Sequence, residues 1–182
     1  MPTYISMLRG INVGGHKKVP MNQLRAMLGA LGFKEVRTYI QSGNVVFRAT
    51  MGNPEDLSRK IEQRVLKEFG FPASVITRTP EELQKAIQSN PFIKESGLAP
   101  AKVYVAFLTE APKADAVKKL EALATASEQL RHSGKEVYLY YRDGMGRAKL
   151  TGTVLEKVLA VTATARNWNT VNKLCDMAMD ES

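Results

Sequence analysis

Between Thr3 and Arg78 the spacing of apolar residues switches between the two-residue period of a strand and the 3.6-residue period of a helix in a fixed order. Residues 3–8 read as a strand. Pro20 then stands at a helix entrance, and Met21, Leu24, Ala26, Met27, Leu28 and Leu31 recur at three- and four-residue spacing until Gly29 and Gly32 weaken the pattern. Residues 36–41 and 44–48 are β-rich runs separated by Ser42-Gly43, a two-residue hairpin signal. Residues 54–69 form an amphipathic helix carrying Leu57, Ile61, Val65, Leu66 and Phe69, ended by Gly70, and residues 72–78 supply another strand. The order strand, helix, strand, strand, helix, strand is the split βαβ pattern of the ferredoxin-like fold.

A linker helix is predicted over 80–91, opened by the capping box of Thr79 and Glu82 and stopped by Asn90-Pro91. The same order then begins again. Residues 103–108 read as a strand, 113–124 as a helix, and 127–131 with 136–142 as a hairpin around Ser133-Gly134. A helix over 152–160, a short strand over 162–165 and a closing helix over 168–179 complete it. The sequence therefore predicts an α+β protein of two tandem ferredoxin-like (βαββαβ) units. Residues 1–79 are the first unit, 80–100 a linker helix and loop, and 101–182 the second unit with its closing helix.

Composition narrows the classes. A chain of 182 residues with 44% apolar content can bury an ordinary core. No stretch approaches the roughly 18 apolar residues of a membrane span, and the first residues lack a secretory pattern, so the expectation is a cytoplasmic protein with no membrane partner. Cys175 is the only cysteine, which rules out an intramolecular disulfide and a thiolate cluster; with His16 and His132 as the only histidines, no metal site is expected. The net charge of +8 is uneven: residues 1–90 hold thirteen Lys/Arg and seven Asp/Glu, net +6, and residues 91–182 hold thirteen and eleven, net +2. A basic half suits a polyanion, whereas mixed signs such as Arg59, Lys60, Arg64 and Lys67 among Glu55, Asp56, Glu62 and Glu68 suit a solvated helix face.

The chemistry concentrates in Leu8-Arg9-Gly10-Ile11-Asn12-Val13-Gly14-Gly15-His16-Lys17-Lys18-Val19-Pro20, which leaves a strand and enters a helix. Glycine permits positive φ and close approach to the main chain. Free amides beside Arg9, Lys17 and Lys18 can cradle phosphate or carboxylate; the competing reading is a tight connection with solvated lysines. It is not a P-loop, because His16-Lys17-Lys18 follows Gly15 where Lys-Ser/Thr is needed, and no Gly-x-Gly-x-x-Gly is present.

In a ferredoxin-like sheet of strand order 4-1-3-2, strands one and two run the same way, so the glycine loop and Gln41-Ser42-Gly43-Asn44 come to one end. In the second unit, 142–149 and 166–170 follow strands three and four and share the opposite end. Turn chemistry alone accounts for Gln41, Ser42 and Asn44, and their place beside Arg9 opens a ligand role. Arg166 and the helix start behind it can hold an anion, with Asn169 and Thr170 orienting it and Arg147 and Lys149 assisting. Against this, Asn167 suits an N-cap and Trp168 a core anchor. A pseudo-twofold between units would join both constellations in one cleft. The candidate ligand-binding residues are thus Arg9, Gly10, Asn12, Gly14, Gly15, Lys17, Gln41, Ser42, Asn44, Arg147, Lys149, Arg166, Asn167, Asn169 and Thr170.

Three stretches carry a resemblance. Residues 8–15, residues 39–47 (Tyr39-Ile40-Gln41-Ser42-Gly43-Asn44-Val45-Val46-Phe47) and residues 164–171 (Thr164-Ala165-Arg166-Asn167-Trp168-Asn169-Thr170-Val171) together resemble the bacterial family of domains of unknown function numbered sixteen ninety-seven. The likeness runs from about Tyr4 to about Leu174, and Asn90-Pro91-Phe92 and the Gly-x-Gly-Arg segment ending Lys149-Leu150 fit it. Ala148 departs from it, where a serine is common. The resemblance implies a soluble bacterial α+β protein and supplies no reaction.

Catalytic machinery is hard to find. Ser42 lacks a Gly-x-Ser-x-Gly elbow, neither histidine has a recognisable nucleophile, and Asp143 is the only carboxylate in the signature stretches. The sequence therefore names no reaction and no cofactor, although Arg9, Arg166 and backbone donors could stabilise a negative transition state. The favoured reading is binding of a phosphate-bearing small molecule or nucleotide. Single-stranded nucleic acid is the alternative, using Tyr4, Tyr39, Phe47, Tyr104, Tyr138 and Tyr140. It is disfavoured because residues 103–108 are apolar on both faces and read as buried. A third class is a structural or partner-binding protein without ligand.

Overall fold

The computed structural model describes residues 1–50 and 52–180. It is a mixed α+β structure with two four-stranded antiparallel sheets. The chain divides into two compact units, Met1–Gln84 with Lys173–Ser182, and Lys85–Asn172.

The first unit runs β1 (Thr3–Leu8), α1 (Met21–Ala30), β2 (Lys34–Tyr39), β3 (Asn44–Arg48), α2 (Pro54–Phe69) and β4 (Val75–Arg78), with sheet order β2-β3-β1-β4. Alternation along β1 sends Tyr4 and Leu8 into a core with Val45, Phe47 and Val75, against Leu24, Met27 and Leu28 of α1 and Leu57, Ile61 and Val65 of α2. Phe33 stacks on Phe47 at 4.6 Å between centroids. Ile5, Met7, Val46 and Ile76, which alternate with these, are buried too. A chain of buried hydroxyls joins β1 and β4 to α2: Ser6 Oγ lies 2.7 Å from Thr77 Oγ1, which accepts from Ser58 Oγ at 2.8 Å. Helix α2 spans the predicted residues and stops at Gly70 as its sequence predicts, with an N-cap at Asn53 besides. Asn53 Oδ1 accepts from Asp56 N at 2.8 Å, Pro54 opens the first turn, and Gly70 ends the helix at φ 79°.

The β2–β3 connection differs from the expected two-residue turn. Tyr39 pairs with Asn44, so the connection is residues 40–43, with Ile40 at φ 49° and Gly43 at φ 88°. The longer loop brings Gly43 O to Leu8 N, which donates to it at 2.8 Å.

The expected capping box opens α3 (Pro80–Gln88): Thr79 N donates to Glu82 Oε2 at 2.9 Å and Glu82 N to Thr79 Oγ1 at 3.1 Å. The Asn90-Pro91 step ends one helix and starts another, because Asn90 Oδ1 accepts from Phe92 N at 3.0 Å and opens α4 (Pro91–Lys94).

The second unit continues with β5 (Val103–Leu108), α5 (Ala114–Glu121), β6 (Glu128–Ser133), β7 (Glu136–Tyr141), α6 (Gly152–Leu159), β8 (Ala163–Asn167) and α7 (Trp168–Met179), with sheet order β6-β7-β5-β8. Its core gathers Ala106, Leu108, Leu120, Leu130, Leu139, Leu155 and Leu159. The hairpin turns at residues 134–135, one position later than expected, with Ser133 paired to Glu136. Tyr138 Oη donates to Ala86 O at 2.7 Å and Tyr141 Oη to Leu150 O at 2.6 Å; burial drives both phenols well above the ordinary tyrosine range, and Glu136 and Glu128 add to it. The compact grouping places Lys173 onward, the latter part of the closing helix, with the first unit, where Arg37 Nη2 donates to Met177 O at 2.7 Å.

Candidate functional site

The connection from β1 to α1, residues 9–20, projects as a small tongue. His16 N donates to Val13 O at 3.0 Å across Gly14 (φ 57°) and Gly15 (φ 78°), positive φ at both central positions of a two-residue turn, which is why glycine stands at each. Asn12, itself left-handed at φ 56°, braces the base. Its Oδ1 accepts from Val19 N at 2.8 Å, and its Nδ2 donates to Val19 O at 3.0 Å and to Gln41 O at 2.7 Å. Among the described residues, no carbonyl accepts from the amides of Gly14 or Gly15. Val13, Gly14, Gly15, His16, Lys17 and Lys18 are all exposed.

Arg9 and Lys17 face a groove of about 470 Å³ that they share with Glu62, Gln63 and Leu66 of α2 and with Pro72, Ala73 and Ser74 of the loop before β4. All eight residues belong to the first unit. Two bonds tie the lining segments together: Arg9 N donates to the main-chain Ser74 O at 2.9 Å, and Val75 N donates to the side-chain Glu62 Oε1 at 2.8 Å. Two cations thus face one carboxylate, an amide and a hydroxyl, beside an aliphatic wall. Leu66 is 51% exposed there, off the Leu57–Ile61–Val65 stripe that α2 buries. Such a groove can hold an anion together with a neutral, partly apolar group.

The turn at 41–44 lies beside the tongue, as strand directions require. A Cβ on Gly43 would stand 2.8 Å from Ile11 Cδ1 and 2.9 Å from Leu8 Cβ, so glycine is needed for contact as well as for its positive φ. Asn44 is fully buried, and its Nδ2 donates to Tyr39 O at 3.0 Å and Ser42 Oγ at 2.8 Å. Gln41 offers its carbonyl to Asn12. Gly10, exposed at φ 69°, has open space around it.

The remaining candidates are in the second unit. The β7–α6 connection carries Arg147 and Lys149, both exposed, and is tethered by Glu128 Oε1, which accepts from Lys149 N at 2.8 Å and Leu150 N at 2.7 Å. Lys102 Nζ donates to Arg142 O at 2.6 Å. Both β7 and β8 run against β5, so residues 142–149 and 166–170 follow at one end of that sheet. Arg166 is buried; its Nη1 donates to Thr164 Oγ1 at 2.7 Å and Ala165 O at 3.0 Å, and desolvation lowers its pKa to about 10. Asn167 is the N-cap of α7, its Oδ1 accepting from Thr170 N at 2.8 Å, while Thr170 is buried and Asn169 exposed.

The sequence reading missed Glu62, Gln63, Leu66, Pro72, Ala73 and Ser74. The one signal for them was Leu66, an apolar residue one step off the buried stripe of its helix. Among the described residues, no group of three or more His, Cys, Asp or Glu side chains is placed to hold a metal ion, and no helix is long and apolar enough to cross a membrane. Burial pushes the Cys175 thiol up, with Asp176 adding to it.

Comparison with known proteins follows the same lines. No curated protein matches the chain. The conserved bacterial protein SP0830 from Streptococcus pneumoniae has a similar structure, with a TM-score of 0.74 and 25% identity over 97% of this chain and 98% of that one. The model of the family described as protein of unknown function (DUF1697) matches residues 1–138, a span that holds the glycine tongue, the 41–44 turn and the whole groove and leaves residues 164–171 outside. The chain belongs to the DUF1697 family.

Proposed function

We propose that this protein is a cytosolic binder of a phosphate-bearing small molecule or nucleotide, held in the groove between the glycine tongue and α2, and that each of its two units is ferredoxin-like. The observation that carries the reading is a difference between units of the same strand order. In the second unit the step from the first strand to the first helix takes five residues, 109–113; in the first it takes twelve, 9–20. Thr109 stands where Arg9 does, each donating its N–H across the sheet, Thr109 to Thr162 O at 3.0 Å and Arg9 to Ser74 O at 2.9 Å. Glu156 Oε1 accepts from Ala163 N at 3.1 Å as Glu62 Oε1 accepts from Val75 N. The glutamate bond therefore serves the fold in both units. The longer connection, with its glycines and the cations Arg9 and Lys17, is not needed to close this topology, and it lines the groove.

Arg9 and Lys17 set two positive charges against the single carboxylate of Glu62, an excess that favours an anion such as a phosphomonoester, and the amides of Gly14 and Gly15 add donors. Of the six aromatic side chains that a base-stacking sheet would use, Tyr4, Phe47, Tyr138 and Tyr140 are buried and only Tyr39 and Tyr104 are partly exposed. That favours a small ligand over a nucleic-acid strand.

A thermal-shift panel of sugar phosphates and nucleotides tests the reading. A ligand at about 100 times its Kd adds about 2.7 kcal/mol to stability. At least one member should raise the melting temperature of the wild type and leave an Arg9→Ala/Lys17→Ala variant unmoved; equal shifts in both would refute the assignment.

A further inference from the structure

We infer that the ligand of this groove is a nucleoside monophosphate, an inference that rests on the phosphate-binding reading above and names its class. The walls of the groove differ in chemistry. Arg9 and Lys17 suit a single phosphate group. On the α2 side of the same groove Leu66, 51% exposed, offers an aliphatic shelf, to which the exposed ring of Pro72 adds while Ala73 beneath is itself part of the core. Water gains nothing from Leu66 in that place, and α2 does not need it for its core, which Leu57, Ile61 and Val65 already fill. A sugar phosphate, hydroxylated on every face, would leave the shelf wet. A base covers it, its flat face against aliphatic carbon.

Polar groups line the same groove. Glu62 is held by its Oε1 on Val75 N at 2.8 Å, so its carboxylate is a positioned acceptor on the groove wall, suited to ribose hydroxyls. Gln63 offers a donor and an acceptor on one amide, the pattern that base edges present. The volume of about 470 Å³ lies within the range of small-ligand sites, roughly 300–1,000 Å³. In the second unit the glutamate and a hydroxyl residue are kept, Glu156 for Glu62 and Thr162 for Ser74, whereas Thr109, Lys157 and Ala160 stand where Arg9, Gln63 and Leu66 do.

The experiment is isothermal titration of the full chain with AMP, GMP, CMP, UMP, ribose 5-phosphate and inorganic phosphate. It is repeated on Leu66→Ser, an exposed position whose change spares the core, and on Arg9→Ala/Lys17→Ala. The expected result is that at least one nucleoside monophosphate binds about tenfold or more tighter than ribose 5-phosphate. Leu66→Ser should remove most of that margin while leaving ribose 5-phosphate unchanged. Equal affinity for ribose 5-phosphate and every nucleotide, or a margin untouched by Leu66→Ser, overturns the inference and leaves the phosphate reading standing. Absence of binding by every probe, or binding indifferent to the loss of Arg9 and Lys17, overturns the phosphate reading itself.

Discussion

Asn12 Nδ2 donates to Gln41 O at 2.7 Å, across 29 positions of sequence, and so fastens the tongue after β1 to the turn between β2 and β3. The same amide group spans Val19, donating to its carbonyl and accepting from its N–H. Two segments that sequence reading treats as a ligand cradle are therefore first of all a braced structure. The groove inherits its shape from that brace.

Removing the brace should be costly in proportion to the bonds lost. Asn12→Gly keeps the left-handed backbone and loses three hydrogen bonds, so it should lower unfolding free energy by about 2 kcal/mol. Asn12→Ala adds the strain of φ 56° and should cost about 1 kcal/mol more. Urea titration of both variants checks the order; an Ala variant as stable as the Gly one would contradict it.

Two glycines of the same region separate steric contact from backbone strain. Gly10→Ala meets open space and pays for φ 69° alone, about 1 kcal/mol. Gly43→Ala also drives a methyl against Ile11 and Leu8 and should cost about 2–4 kcal/mol. Equal thermal denaturation of the two variants would show that the turn does not pack as described.

Thr77 serves two buried serines. Thr77→Val leaves Ser6 and Ser58 without their shared partner and should destabilise by about 2–3 kcal/mol. Replacing Ser6 and Ser58 by alanine in the same chain removes the orphaned groups and should recover about half of the loss. A triple variant no better than Thr77→Val would show that the hydroxyl chain contributes little.

Alkaline stability tests the second unit. Tyr138 and Tyr141 resist ionisation when folded, whereas unfolded phenols ionise near pH 10. Above pH 10 the unfolded chain binds fewer protons than the folded one, so these groups stabilise fully below that pH and their contribution falls as pH rises. The slope should exceed that of a Tyr138→Phe/Tyr141→Phe variant by up to about 2.7 kcal/mol per pH unit. Parallel curves for the two proteins between pH 9 and 11 would contradict the burial of the phenols.

What could be read in advance followed local chemistry. Apolar periodicity located β1, α2 and β5, and the caps at Thr79 and Asn167 behaved as their residue types dictate. Ile40 was unreadable for a physical reason: a β-branched residue at φ 49° opposes its own preference, and the fold imposes it to carry Gly43 O to Leu8 N. Glu35 at φ 50° and the shift of register between Lys34 and Arg37 are of the same kind. At the site, Arg9 and Lys17 were legible because cations beside glycines are unusual. The wall that faces them was not, since Glu62, Gln63 and Leu66 sit in a helix whose charges read as an ordinary solvated face. Beyond the stray Leu66, it is the tertiary packing that sets Glu62, Gln63 and Leu66 in one groove with Arg9 and Lys17.

The central claim is that the tongue and α2 enclose a phosphate-binding groove. Its most direct test is an NMR titration of the isotope-labelled chain with AMP, following the backbone amides of Arg9, Gly14, Gly15, Lys17 and Ser74. The account predicts saturable shifts concentrated on those amides in the wild type and their loss in Arg9→Ala/Lys17→Ala. Shifts that rise linearly without saturation, or that persist unchanged in the variant, would contradict it.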